Sequence, residues 1–163
     1  VTSAPNRRTV LAAGLVSVGG LTVAPLLAAC DSGPTADQLL AQQLQPVARA
    51  ALDDATTARL LVTTSPNFAA ALGVVATERD VHSKALREEI TRLDPQAAQT
   101  LSSTSTSPSA TPASTPTLDA LRTQLERSAR QAADVGVTMD GYRAGLLASV
   151  SASTTTLRKV QLG

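Results

Sequence analysis

The sequence predicts an all-α protein, a four-helix bundle built from two helical hairpins joined by a long Ser/Thr/Pro-rich linker. Three observations predict it. Apolar residues downstream of Thr35 recur at spacings of three and four, the pattern of helices that bury one face. Phe68 and Tyr142 are the only aromatic residues, so the core must be made of Leu, Val and Ala, which suits close-packed helices better than a sheet. Helix start and stop signals bracket each apolar stretch.

The first helix opens at Thr35-Ala36-Asp37-Gln38, the form of a capping box with Thr35 as N-cap. Its stripe is Leu40, Leu44, Val47, Ala51, Ala55, Ala58 and Val62. Pro46 removes one backbone donor from it, which predicts a kink or restart. Ser65-Pro66 restarts the chain with an N-cap and a proline at the first helical position. The second stripe is Phe68, Leu72, Val75, Arg79, His82, Leu86, Ile90 and Leu93, ending at Asp94-Pro95.

From about 95 to 116 the chain is mostly Ser, Thr, Pro and Ala, with Leu101 its only large apolar residue. Such a composition predicts a disordered linker. The third helix runs from Thr117 on Leu118, Leu121, Leu125, Ser128, Ala132 and Val135, with Gly136 as its stop. Thr138 is expected to cap the fourth, whose stripe is Met139, Tyr142, Leu146, Val150, Ser153, Leu157 and Val160. The linker is long enough to let the third helix run either parallel or antiparallel to the second. One long connection between two helical hairpins is the ferritin-like arrangement.

Ahead of the helices stand Arg7-Arg8, an apolar run from Val10 to Ala29, and the chain's single cysteine, Cys30. A basic head, an apolar stretch and small residues before a cut form an export signal. Leu27-Ala28-Ala29-Cys30 resembles a bacterial lipobox, which implies cleavage before Cys30 and a lipid on its sulfur. Residues 1–29 then read as a lipoprotein signal peptide, residues 30–35 as lipidated cysteine and tether, and residues 36–163 as the bundle domain. The alternatives are an uncleaved anchor and an ordinary thiol. Asn6-Arg7-Arg8-Thr9 resembles in part a twin-arginine export motif, leaving that route and the general one both open. Two acyl chains give stable anchoring, so the partner implied is the membrane, on the outer face of the cytoplasmic membrane in the cell envelope.

Without residues 1–29 the chain keeps 12 of its 14 basic side chains and all 13 acidic ones. No basic patch argues for nucleic acid. Twelve arginines stand against two lysines, the bias of a GC-rich bacterial gene. In that setting the Ser/Thr/Pro tract resembles O-mannosylated segments, which implies sugars at some of Thr104, Thr106, Thr111 and Thr115.

Thr77-Glu78-Arg79-Asp80-Val81-His82-Ser83-Lys84-Ala85-Leu86-Arg87 resembles the second helix of ferritin-like domains in actinobacterial exported lipoproteins. Gly141-Tyr142-Arg143-Ala144-Gly145-Leu146-Leu147-Ala148-Ser149-Val150 resembles their last. The resemblance implies a helical bundle and not, by itself, iron. A di-iron bundle needs a Glu from each of two helices and Glu-x-x-His from the other two. Here Arg79 stands three residues before His82, where the motif needs Glu, and the fourth helix has neither Glu nor His after Tyr142. No metal and no cofactor is therefore expected.

Asp54 lies about ten residues before the first hairpin's turn and Arg79 about thirteen after it, so the two fall at similar heights. We expect a buried polar cluster of Asp54 and Arg79, with His82 one turn further along. The hydroxyl-rich run Ser149, Ser151, Ser153, Thr154, Thr155 and Thr156 reads as a pocket lining or as side chains bonded to the preceding turn. No nucleophile, base and phosphate-cradle combination is present. The expectation is a non-catalytic, lipid-anchored interaction or accessory module with an envelope protein as partner. The alternatives are a small-ligand or lipid carrier, with a cavity near Arg79, His82 and Tyr142, and a divergent ferritin-like metal protein.

Overall fold

The structure, a computed structural model, describes residues 33–103 and 115–163. Arg7, Arg8, Leu27, Ala28, Ala29 and Cys30, with Thr104, Thr106 and Thr111, lie outside the described residues. Every element among the described residues is helical. Helix α1 spans Ala36–Thr64 and starts on the capping box: Gln38 N donates to Thr35 Oγ1 (3.2 Å), and Thr35 N donates to Gln38 Oε1 (2.8 Å). It continues unbroken through Pro46. The carbonyl that Pro46 leaves without an amide belongs to Gln42, and both residues are exposed, so solvent can satisfy it.

The expected start of the second helix at Ser65-Pro66 is corrected: Ser65 makes no side-chain cap, Pro66–Phe68 forms a short 3-10 turn that reverses the chain, and α2 spans Ala69–Leu93. The hairpin is antiparallel and closely packed. Ser83 Oγ donates to the Ala48 carbonyl across it (3.2 Å), and Arg59 pairs with Asp80 on its outer side.

The expectation of a linker from 95 to 116 needs correction at its start. Pro95–Ser103 forms a helix, α3, that packs on both α1 and α2. Ala97 and Leu101 are buried there, and Gln45 Nε2 donates to the Ala97 carbonyl (3.3 Å). Pro95 suits the first helical position, Asp94 Oδ1 accepts from Gln96 N (2.9 Å), and Leu101 supplies the one large apolar contact a nine-residue helix needs.

Helix α4, Leu118–Gly136, is capped by Thr117, whose Oγ1 accepts from Ala120 N (3.1 Å). Helix α5, Gly141–Thr156, continues into a π-helical turn, Leu157–Gln161. Thr138 does not cap α5. Its hydroxyl donates back to the Val135 carbonyl (2.8 Å), Asp140 takes the N-cap position, and Gly141 adopts φ 56°, a left-handed conformation that suits glycine.

The expected stripe of the last helix holds at Met139, Val150 and Leu157 but not elsewhere, Leu147 and Thr154 being buried where Leu146 and Ser153 were expected. Leu147, Val150, Thr154 and Leu157 point inward, whereas Tyr142 and Val160 face solvent. With Gly, Ala and Ser around adjacent Leu146 and Leu147, the two registers are nearly equivalent in apolar content, and packing against α4 selects Leu147. Gly136 marks that contact: a Cβ on it would stand 3.3 Å from Leu147 Cβ.

Two apolar clusters fill the interior. One joins Leu44 of α1, Ile90 of α2, Leu101 of α3, Ala132 near the end of α4 and Leu147 of α5. The other joins Leu61 near the end of α1, Leu72 near the start of α2, Leu121 near the start of α4, and Leu157 and Leu162. The start of α1 thus meets the end of α4, so these helices are antiparallel, and α4 runs in the same direction as α2. Arg122 Nε donates to the Leu162 carbonyl (3.0 Å) while its guanidinium sits 5.6 Å over the Phe68 ring, fixing the chain's last turn to α4 and the first hairpin.

Candidate functional site

Between the two apolar clusters lies a polar level. It is built by Asp54 at the middle of α1, Arg79 and His82 on α2, and Thr154 on α5. Each sits on its helix's inward stripe, which is why the fold converges them. Arg79 and Asp54 are both 0% exposed. Arg79 Nε donates to Asp54 Oδ2 (3.0 Å), and Nη2 lies 2.9 Å from the same oxygen without a hydrogen bond of its own. Nη1 donates to Thr154 Oγ1 (2.6 Å) and lies 3.1 Å from His82 Nδ1.

These contacts fix the chemistry of each group. A guanidinium has no acceptor, so His82 Nδ1 must accept from Nη1, which makes the imidazole neutral with its proton on Nε2. Burial, reinforced by the neighbouring Arg79 charge, pushes the His82 pKa down from 6.5 to about 4. Burial raises the Asp54 carboxyl, and the charge of Arg79 opposes that rise. The polar side chains of Ser128 and Gln124 on α4 oppose the rise as well, although Asp54 Oδ1 has no hydrogen-bond partner. Arginine does not deprotonate in proteins, so a fixed cation 2.9 Å from Asp54 Oδ2 favours the carboxylate against the effect of burial. Thr154 passes the network on by donating to the Val150 carbonyl (2.6 Å).

The structure therefore brings Asp54, Arg79 and His82 together. It does not bring Tyr142 to them, because Tyr142 stands at the start of α5, beside Glu89 and Arg92. The sequence placed Thr154 only in the hydroxyl-rich run of α5; its contact with Arg79 was not foreseen, because Ser153 and not Thr154 stood on the expected stripe. The hydroxyls of that helix are bonded to the preceding turn: Thr154, Thr155 and Thr156 each donate to the carbonyl four residues back, and Ser151 donates across to Ala129 of α4 (2.9 Å).

A second polar cluster ties α2 to α5. Glu89, buried, accepts from Arg92 (2.6 and 2.8 Å) and from Arg143 of α5 (3.4 Å). The hydrogen bonds from Arg92 hold its carboxyl below the usual range, against the opposing effect of burial.

As a metal site the central cluster has the wrong donors. Arg79 directs three nitrogens into the level where ligands would converge, and a fixed cation there repels a metal ion. Among the described residues no three His, Cys, Asp or Glu side chains gather closely enough to hold one. Several open clefts mark the surface, among them two in grooves between helices. One, about 250 Å³, lies between α1, α2 and α3 and includes Ala48, Leu52, Ser83 and Leu101; the other, about 260 Å³, follows the α4–α5 groove past Ala129, Ser151 and Thr155. Among the described residues no helix is long and apolar enough to cross a membrane. Compared with protein-family models, curated protein sequences and solved structures, the chain matches none.

Proposed function

We propose that this chain is a non-catalytic, lipid-anchored module of the bacterial cell envelope, a ferritin-like four-helix bundle whose role is interaction rather than turnover. The observation that carries the non-catalytic reading is the fully buried Asp54–Arg79–Thr154 level. It occupies the place between helices where bundle proteins build cofactor sites, and it does so with a self-neutralised ion pair. The bundle reading draws on two antiparallel helix pairs joined by one long crossover. Anchoring rests on Leu27-Ala28-Ala29-Cys30 after an apolar run, with the membrane as partner through a lipid on Cys30 and an envelope protein as the second partner.

The test is intact-mass analysis of the protein recovered from a bacterial membrane fraction, beside a Cys30→Ser variant, with metal content measured on the same sample. A mass consistent with cleavage before Cys30 plus a diacylglyceryl group, lost in the variant, with no stoichiometric transition metal, is the expected result. An unmodified Cys30 overturns the anchoring. Stoichiometric metal that disappears with His82→Ala overturns the non-catalytic reading.

A further inference from the structure

Three exposed apolar side chains gather at one end of the helices. Leu39 (46% exposed) is in the first turn of α1, Val137 (85%) in the α4–α5 turn, and Tyr142 (69%) in the first turn of α5. Thr138 Oγ1 donates to Gln43 Oε1 (3.4 Å), which holds the α4–α5 turn against the start of α1. Val137 is the most exposed large apolar residue among those described. Tyr142 carries a hydroxyl on an apolar ring, the side chain that favours the boundary between lipid and water.

The same end is where the chain arrives from Cys30. Between Cys30 and Thr35 the chain reaches at most about 18 Å, whereas α1 with its 29 residues is about 43 Å long. A lipid on Cys30 therefore keeps the start of α1 near the bilayer and leaves the other end out of reach.

We propose that this end, through Leu39, Val137 and Tyr142, seats on the bilayer surface and holds the helices upright on the membrane. The proposal rests on the lipid-anchor reading above. The seating is apolar rather than electrostatic. Asp37, Asp134 and Asp140 stand at this end, and the two arginines beside Tyr142, Arg92 and Arg143, are engaged by Glu89. Added salt should leave it unchanged, and zwitterionic lipid should suffice. The opposite end also exposes apolar side chains, Leu60, Val74 and Val160, so it is the short reach from Cys30 that selects the end with Leu39, Val137 and Tyr142.

Tyr142 is the sole tyrosine in a chain without tryptophan, so its emission reports this end directly. The lipidated full-length protein is reconstituted into phosphatidylcholine vesicles containing a brominated lipid that quenches on contact. A Tyr142→Phe/Val160→Tyr protein moves the reporter to the far end. Quenching about twofold or more stronger for Tyr142 than for the relocated reporter, and reduced by Val137→Asp, supports the proposal. Flotation with vesicles but equal or reversed quenching overturns the seating while the anchor stands. Emission shielded from both brominated lipid and a soluble quencher means that a second copy covers the face, and overturns it too. Absence of lipid on Cys30 and of flotation overturns the anchor reading and the seating with it.

Discussion

Arg79 is the largest fully buried side chain among those described, and its neighbours determine what its loss would do. Arg79→Ala leaves the Asp54 carboxylate buried without its counter-charge, and should cost about 3–5 kcal/mol in urea unfolding. An Asp54→Leu/Arg79→Met protein removes both charges while keeping apolar volume, and should regain most of that loss. If it is as unstable as Arg79→Ala, the pair is not the cause. His82 gives a pH signature. Its folded-state pKa lies near 4 against 6.5 unfolded, so the unfolded chain takes up the proton first as pH falls. The contribution of neutral His82 is complete above pH 6.5 and is lost progressively down to about 4. Thermal midpoints of the parent should therefore fall more steeply across that window than those of His82→Gln, and parallel curves would contradict the assignment. The Asp54–Arg79 meeting was legible because a hairpin with a marked turn fixes which residues share a height. Thr154 was not legible, because the side of α5 that faces α2 depends on packing.

At the scale of the elements, α1, α2 and α4 followed their apolar stripes, since each has only one face rich enough in Leu and Val to bury. Helix α3 is the instructive exception. Composition alone places Pro95–Ser103 with the Ser/Thr/Pro tract, yet Leu101 finds a place over α1 and α2 that no local pattern announces. Leu101→Ala should cost about 2–3 kcal/mol, a truncation in a packed site. A loss indistinguishable from zero would restore the linker reading for this segment. In α5, Val150 and Leu157 face inward as expected, while Leu147 and Thr154 are buried where Leu146 and Ser153 were expected. A helix of Gly, Ala, Ser and Thr has a weak apolar preference, so the Gly136–Leu147 approach decides its rotation.

For the whole molecule, direction matters most. Helix α2 ends where α1 begins, and α4 begins where α1 ends, so the chain after Ser103 must return to the opposite end before Thr117. Deleting residues 104–114 leaves residues 115–117, with a reach of about 10 Å, and should prevent α4 from docking in its native direction, read as exchanged dimers or loss of cooperative unfolding. Removing only 106–111 should be tolerated within about 1 kcal/mol, because loop closure depends weakly on length. The sequence by itself determined the helical class, both ends of α1 and α4, the end of α2 but not its start, and the level at which Asp54 meets Arg79. Those features depend on local caps and on stripes with a single strong solution. Only the tertiary structure decided the direction of α4, the helix at Pro95–Ser103 and the face of α5. Each of these depends on surfaces contributed by distant parts of the chain, where local preferences were close to balanced.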